Sequence, residues 1–189
     1  LQPGETRTAE LTCGAGGIMT DGAVRVAHVD QGTGDFSSVD VHRVNSLDDS
    51  TYGTEVTNNA TGQAQAKIFG VCVSKKTTLG NEVTVGPLVT KTVGFSKGIN
   101  SAELTCGAGT TPVAPGYEVS GSSAVLIAST PTAGNGRKFA MDVAGDEAKV
   151  TLSMRCLTNE TSSGAQLEFA PISKTIEVGP GAVVSEQLT

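Results

Sequence analysis

The chain has 189 residues, room for one large domain or two of about 95 residues each. Aromatic residues make up only 4% and Trp is absent, while 24 glycines stand among stretches rich in Thr, Ser and Val; this argues against long helices and for an all-β protein of extracellular type. A net charge of −6 argues against a nucleic-acid backbone or an anionic membrane surface as partner.

The chain opens at Leu1 without a basic and then apolar leader, as expected of a processed form or a fragment. Leu11 and Cys13 share the inward face of a first strand, and Val24 with Val26, then Val39 with Val41, give two more short strands. Ala66-Lys67-Ile68-Phe69-Gly70-Val71-Cys72 is an apolar strand that ends in cysteine. Leu104 and Cys106 then repeat the first pattern, and Ala124-Val125-Leu126-Ile127-Ala128 precedes Asn135-Gly136, a pair favoured in tight hairpin turns. Phe139, Met141 and Val143 alternate with polar neighbours, and so do Val150, Leu152, Met154 and Cys156. Turns are expected at Thr33-Gly34, Asn58-Asn59 and Pro115-Gly116, and no window has a helical period. The longest uncharged run, Val119 to Gly136, is too rich in Ser, Gly, Thr and Pro to span a bilayer.

An internal repeat organises these elements. Ala9-Glu10-Leu11-Thr12-Cys13-Gly14-Ala15-Gly16 recurs residue for residue as Ala102-Glu103-Leu104-Thr105-Cys106-Gly107-Ala108-Gly109. Cys72 and Cys156 end comparable apolar strands, so the simplest pairing is Cys13–Cys72 and Cys106–Cys156, one bridge inside each unit. No Cys-x-x-Cys or nearby His pair suggests zinc instead. The units are expected at 1–93 and 94–173. Residues 174–189 form a surplus strand, because Ser173-Lys174-Thr175-Ile176-Glu177-Val178 resembles Thr90-Lys91-Thr92-Val93, Gly179-Pro180-Gly181 resembles Pro3-Gly4, and Leu188-Thr189 falls where Leu11-Thr12 would. That strand leads to a further repeat or is donated to a neighbour. The fold expected is all-β, two tandem antiparallel β-sandwich domains, each with one internal disulfide.

Cys13-Gly14-Ala15-Gly16 and Cys106-Gly107-Ala108-Gly109, with the closing strands Phe69-Gly70-Val71-Cys72 and Leu152-Ser153-Met154-Arg155-Cys156, resemble the Cys-Pro-Ala-Gly…Cys repeats of secreted bacterial and phage surface proteins. Gly stands where those repeats carry Pro. The resemblance implies immunoglobulin-like sandwiches, a surface or structural role, and no catalytic residues.

A search for chemistry returns little. His28 and His42 read as strand-face residues rather than bases, and with four bridged cysteines and no Gly-x-Ser-x-Gly elbow no nucleophile stands out. Gly107-Ala108-Gly109 and Gly134-Asn135-Gly136 lack the Lys-Ser/Thr ending of a phosphate loop. No enzyme and no cofactor are expected. Asp30, Asp35 and Asp40 recur every five residues, followed by Asp48-Asp49; they are calcium candidates set against the plainer reading as solvated acids, since the EF-hand pattern is missing. Asn59-Ala60-Thr61 and Asn159-Glu160-Thr161 fit the glycosylation sequon and are expected on exposed turns. Lys75-Lys76 and Arg137-Lys138 are isolated basic pairs. Seven basic against ten acidic residues in 1–93, and six against nine in 94–189, give each half the same balance.

Three function classes fit. The first is a structural, non-catalytic subunit of an extracellular or cell-surface filament, self-assembling through copies of itself or further repeats, with residues 1–12 or 174–189 pairing with a neighbour. The second is a virion protein, a phage tail or capsid decoration module. The third is a glycan- or receptor-binding adhesion module, for which Tyr52 and Tyr117 alone offer little aromatic surface.

Overall fold

The computed structural model describes residues 1–28, 38–132 and 134–169. The described residues form β-strands and no α-helix: β1 (Thr6–Thr12), β2 (Gly17–His28), β3 (Val39–Ser46), β4 (Thr51–Asn58), β5 (Ala64–Ser74), β6 (Val89–Thr105), β7 (Thr110–Gly121), β8 (Ala124–Pro131) and β9 (Gly136–Thr158). All pairings are antiparallel. One sheet has the order β1-β4-β3-β7-β9-β6, with β8 also on β9; β2 and β5 form a second. Disulfides join Cys13 to Cys72 and Cys106 to Cys156, and such bridges fit an oxidising compartment.

The duplication extends to strand register. Leu11 lies opposite Tyr52 and Leu104 opposite Arg137; Met19 lies opposite Cys72 and Pro112 opposite Cys156. Alternation has the expected consequence in β9, where Phe139, Met141, Val143, Val150, Leu152 and Met154 are all buried. Two of the expected short strands are nevertheless halves of this one long strand, and β6 runs unbroken through residues 93 and 94. The main core joins Cys13, Met19, Val44 and Tyr52 of the first repeat to Phe95, Leu104, Phe139 and Leu152 of the second.

Two expected turns are something else. Pro115-Gly116 lies inside β7, at a bulge where the register shifts between Val113 and Gly116 and Ala114 takes a φ of 48°. The bulge is where the repeats meet: the Tyr52 hydroxyl donates to the Pro115 carbonyl, while Arg43 and Val44 of β3 pair with Glu118 and Tyr117. Asn135-Gly136 does not form a two-residue turn, because Thr132 N–H donates to the Gly136 carbonyl at 3.0 Å and the Asn135 carbonyl accepts from Cys106 N–H at 2.9 Å. The Thr33-Gly34 turn lies outside the described residues.

Gly116 is required by the close approach of β3. A Cβ there would land on the Val44 carbonyl oxygen and 2.6 Å from Asn45 Cα. Gly116→Ala is therefore expected to cost about 1–3 kcal/mol by overpacking a site that cannot yield. Gly107→Ala, whose Cβ would meet nothing within 4 Å, serves as the neutral control in urea titration. Equal midpoints for the two variants would refute this account of the junction.

Candidate functional site

Strand β5 pairs with β2, whereas the matching part of β9 pairs with both β6 and β7. Ala64, Ala66, Ile68, Gly70 and Cys72 alternate onto its inner face, and Gln65, Lys67, Phe69, Val71 and Val73 onto the other. Gly70 is held to glycine by crowding from β2 and β1: a Cβ there would sit 2.7 Å from Met19 Sδ and 3.0 Å from Leu11 Cδ2. On the outer face Phe69, Val71 and Val73 are 43, 56 and 38% exposed, and Lys67 Nζ stands 5.2 Å from the Phe69 ring centroid.

One edge of β5 is paired to β2 over its whole length. Along the other edge no strand is paired among the described residues, and the backbone contact there comes from Leu1. The Leu1 ammonium donates to the Ala64 carbonyl at 2.8 Å and Ala64 N–H donates back to the Leu1 carbonyl at 3.0 Å. Beyond Leu1 lies a groove of about 480 Å³ between β1 and β5, lined by Leu1, Arg7, Ala9, Val56, Ala66 and Ile68. At its rim Glu5 accepts hydrogen bonds from Gln2 N–H and Arg7 Nε, both at 2.6 Å. These two donors, the Gln2 amide first, hold its carboxyl below the usual range.

The second repeat has the same place filled. Residues Val89 to Ser96, the first half of β6, pair with β9 from Met154 back to Glu147. Phe95 is 4% exposed opposite Ala148, and Val89 and Val93 pack against the main core. The reciprocal Leu1–Ala64 bonds give Leu1 the register position of Phe95 opposite Ala148. Unit one therefore has the end of this strand but, among the described residues, not its body.

The residues singled out in the sequence are scattered. His28 ends β2 opposite Ala64, and His42 Nε2 lies 2.9 Å from Thr57 Oγ1, on a strand face as expected. Asp40 accepts from Asn59 Nδ2 at 2.8 Å and Ser123 Oγ at 2.7 Å, while Asp30 and Asp35 lie outside the described residues. Asp48 Oδ1 accepts from the Ser50 and Thr51 amides at 2.7 and 2.8 Å, the Ser50 amide being the main reason its carboxyl lies below the usual range. Asp49 pairs with Lys75 Nζ at 2.5 Å. Among the described residues no three His, Cys, Asp or Glu side chains gather as metal ligands. Asn59 is exposed and Asn159, half-buried, accepts from Thr111 Oγ1 at 2.7 Å. Tyr52 and Tyr117 are buried in the core, so neither offers its ring to a sugar.

Comparison with known proteins decides nothing further. The chain matches no family model, no curated protein and no solved structure. No helix among the described residues is long and apolar enough to cross a membrane.

The open edge escaped the sequence reading, although a signal for it existed. Aligning Cys72 with Cys156 sets Ala64-to-Ile68 against Ala148-to-Leu152, and β6 covers only the second of these stretches.

Proposed function

We propose that this chain is a structural, non-catalytic subunit of an extracellular assembly, a surface filament or fibre whose immunoglobulin-like sandwich repeats are linked end to end by β-strand contacts. The carrying observation is that β5 is paired on one edge only among the described residues, whereas the equivalent edge in the second repeat is closed by Val89–Ser96. An edge strand with an apolar groove beside it is a template for strand addition. Two further features support the reading. Each repeat carries a disulfide, as suits a component that must stay folded outside the cell. His42 meets the hydroxyl of Thr57 on the neighbouring strand and not a nucleophile–acid pair.

Negative-stain microscopy of the 189-residue chain is expected to show ordered fibres. Deleting residues 174–189 is expected to abolish them while β-type circular dichroism and both disulfides are retained. Dispersed particles from the intact chain would defeat the assembly reading, and fibres from the shortened chain would defeat its strand-linked form.

A further inference from the structure

The junction between the two repeats encloses a cavity of about 320 Å³, a size at which sites for small molecules begin. Both repeats contribute to its walls: Val24 and Val44 from the first, Leu126 and Arg137 from the second, with the bulge residues Pro115 and Gly116. Asp21 also lines it and is exposed to solvent.

Arg137 is a residue that the fold does not require in this place. Leu104 faces Arg137 as Leu11 faces Tyr52, so positions 137 and 52 correspond. In the first repeat a fully buried ring fills the position, and its hydroxyl donates to the Pro115 carbonyl. In the second repeat the position holds a half-buried guanidinium. Burial lowers the pKa of that group from its ordinary value, and the Asp21 carboxylate opposes the shift from a distance. Yet among the described residues no carboxylate comes within ion-pair distance of it. A desolvated cation without a counter-ion is costly, which suits a site whose anion is a ligand.

The hydrogen bonds of Arg137 leave one end of the group open. Nε donates to Ser129 Oγ at 2.7 Å and Nη2 to the Ser129 carbonyl at 3.2 Å. Ser129 thereby fixes the guanidinium plane, while the outer hydrogens of Nη1 and Nη2 have no partner among the described residues. Two parallel N–H groups of this kind match the two oxygens of a carboxylate. The bulge beside them is strained, since Ala114 holds a φ of 48° next to Pro115, and backbone strain of this kind collects at ligand sites.

We infer that this cavity binds a small monocarboxylate with an apolar body, its carboxylate on the Nη1–Nη2 end of Arg137. The body lies against Val24, Val44 and Leu126. Asp21 repels a second negative charge, so a dicarboxylate or a phosphate dianion is disfavoured. Because the walls belong to both repeats, the bound acid ties one unit to the other across the β7 bulge.

The test is equilibrium dialysis of radiolabelled benzoate against the full chain, a readout that works for fibres and dispersed particles alike. Saturable binding at one site per chain is expected, displaced by unlabelled benzoate and not by benzamide, its uncharged analogue. Arg137→Gln should weaken binding about tenfold or more, the worth of a charge-assisted hydrogen bond. Arg137→Lys, which keeps the charge and loses the fork, should weaken it less. Circular dichroism checks that each variant is folded. A second measurement needs no variant: phenylglyoxal modification of Arg137, mapped by mass spectrometry, should be slowed by benzoate and not by benzamide. Asp21→Asn, at an exposed position, should bring phthalate binding up towards that of benzoate. Several results would overturn the site: no saturable binding, equal displacement by benzamide, or benzoate binding unchanged in a folded Arg137→Gln chain. Inorganic phosphate that protects Arg137 where benzoate does not would overturn the carboxylate as ligand. Phthalate binding unaltered by Asp21→Asn would overturn the selection against a second charge.

Discussion

Replacing Cys13 and Cys72 together by alanine is expected to lower stability by about 4 kcal/mol, because the bond closes a loop of 59 residues and the loss appears mainly as added freedom of the unfolded chain. Cys106 and Cys156 close 50 residues, a difference that changes the entropic contribution by only about 0.15 kcal/mol. Equal losses would follow if loop closure were everything. The surroundings differ, however. Cys156 sits in β9, which is paired by β6 on one side and β7 on the other, whereas Cys72 sits in β5, which among the described residues pairs with β2 alone. The first bridge thus tethers a strand that is paired on one edge among the described residues, and its removal is expected to expose β5 to local unfolding. The check is calorimetry with hydrogen exchange on both double variants. A melting-temperature drop of roughly 8–16 °C is expected for each, given about 2–4 °C per kcal/mol at this size. Protection should be lost first in β5 of the Cys13–Cys72 variant. Shifts of only one or two degrees, or first loss in β9, would refute the argument.

Strongly alkaline pH is expected to destabilise the fold through its two tyrosines. Burial pushes the Tyr117 hydroxyl up to about 12 from its ordinary 10.0. Burial does the same to Tyr52 and more so, with the Asp21 carboxylate adding to it. Both folded-state values lie above the unfolded one, so the stabilisation is complete below about pH 10 and is lost as pH rises through the folded values. With both groups neutral in the fold and ionised in the unfolded chain, stability should fall by roughly 2.7 kcal/mol per pH unit above pH 10. Tyr117 would cease to add to that slope near pH 12. Urea midpoints stepped from about pH 9 to about pH 12 measure this directly. Tyr117→Phe should reduce the slope by about half while leaving the Tyr52–Pro115 hydrogen bond in place. A slope unchanged by that substitution would show that other groups cause the alkaline loss.

Much of the fold was legible because it depends on local pattern. Alternation in Val150, Leu152 and Met154 needs only the two-residue period of a strand, and all three are buried. The disulfide pairing was legible because the same octapeptide marks the opening cysteine of each repeat. Pro115-Gly116 misled, since a turn pair and a bulge pair have the same composition; the contact of Tyr52 with the Pro115 carbonyl, across 63 residues, sets the outcome. Asp40 was read among evenly spaced acids, whereas its partners are Asn59 and Ser123, 19 and 83 residues away. Of the candidate site, the resemblance of 173–178 to Thr90–Val93 was visible, but the unpaired edge of β5 was not. Ala64, Ala66 and Gly70 are small, weakly patterned residues, and an empty edge leaves no mark in composition.

By itself the sequence determined that the chain is all-β, that the octapeptide at 9–16 recurs at 102–109 and which cysteines pair. Each of these rests on periodicity or repetition along the chain. Only the tertiary structure decided that the two repeats share one core and one sheet, that β3 meets β7 at a bulge, and that β5 is paired on one edge only among the described residues. Those features depend on hydrogen bonds and contacts between residues far apart in sequence, where the partner of a backbone amide is set by which strand lies beside it.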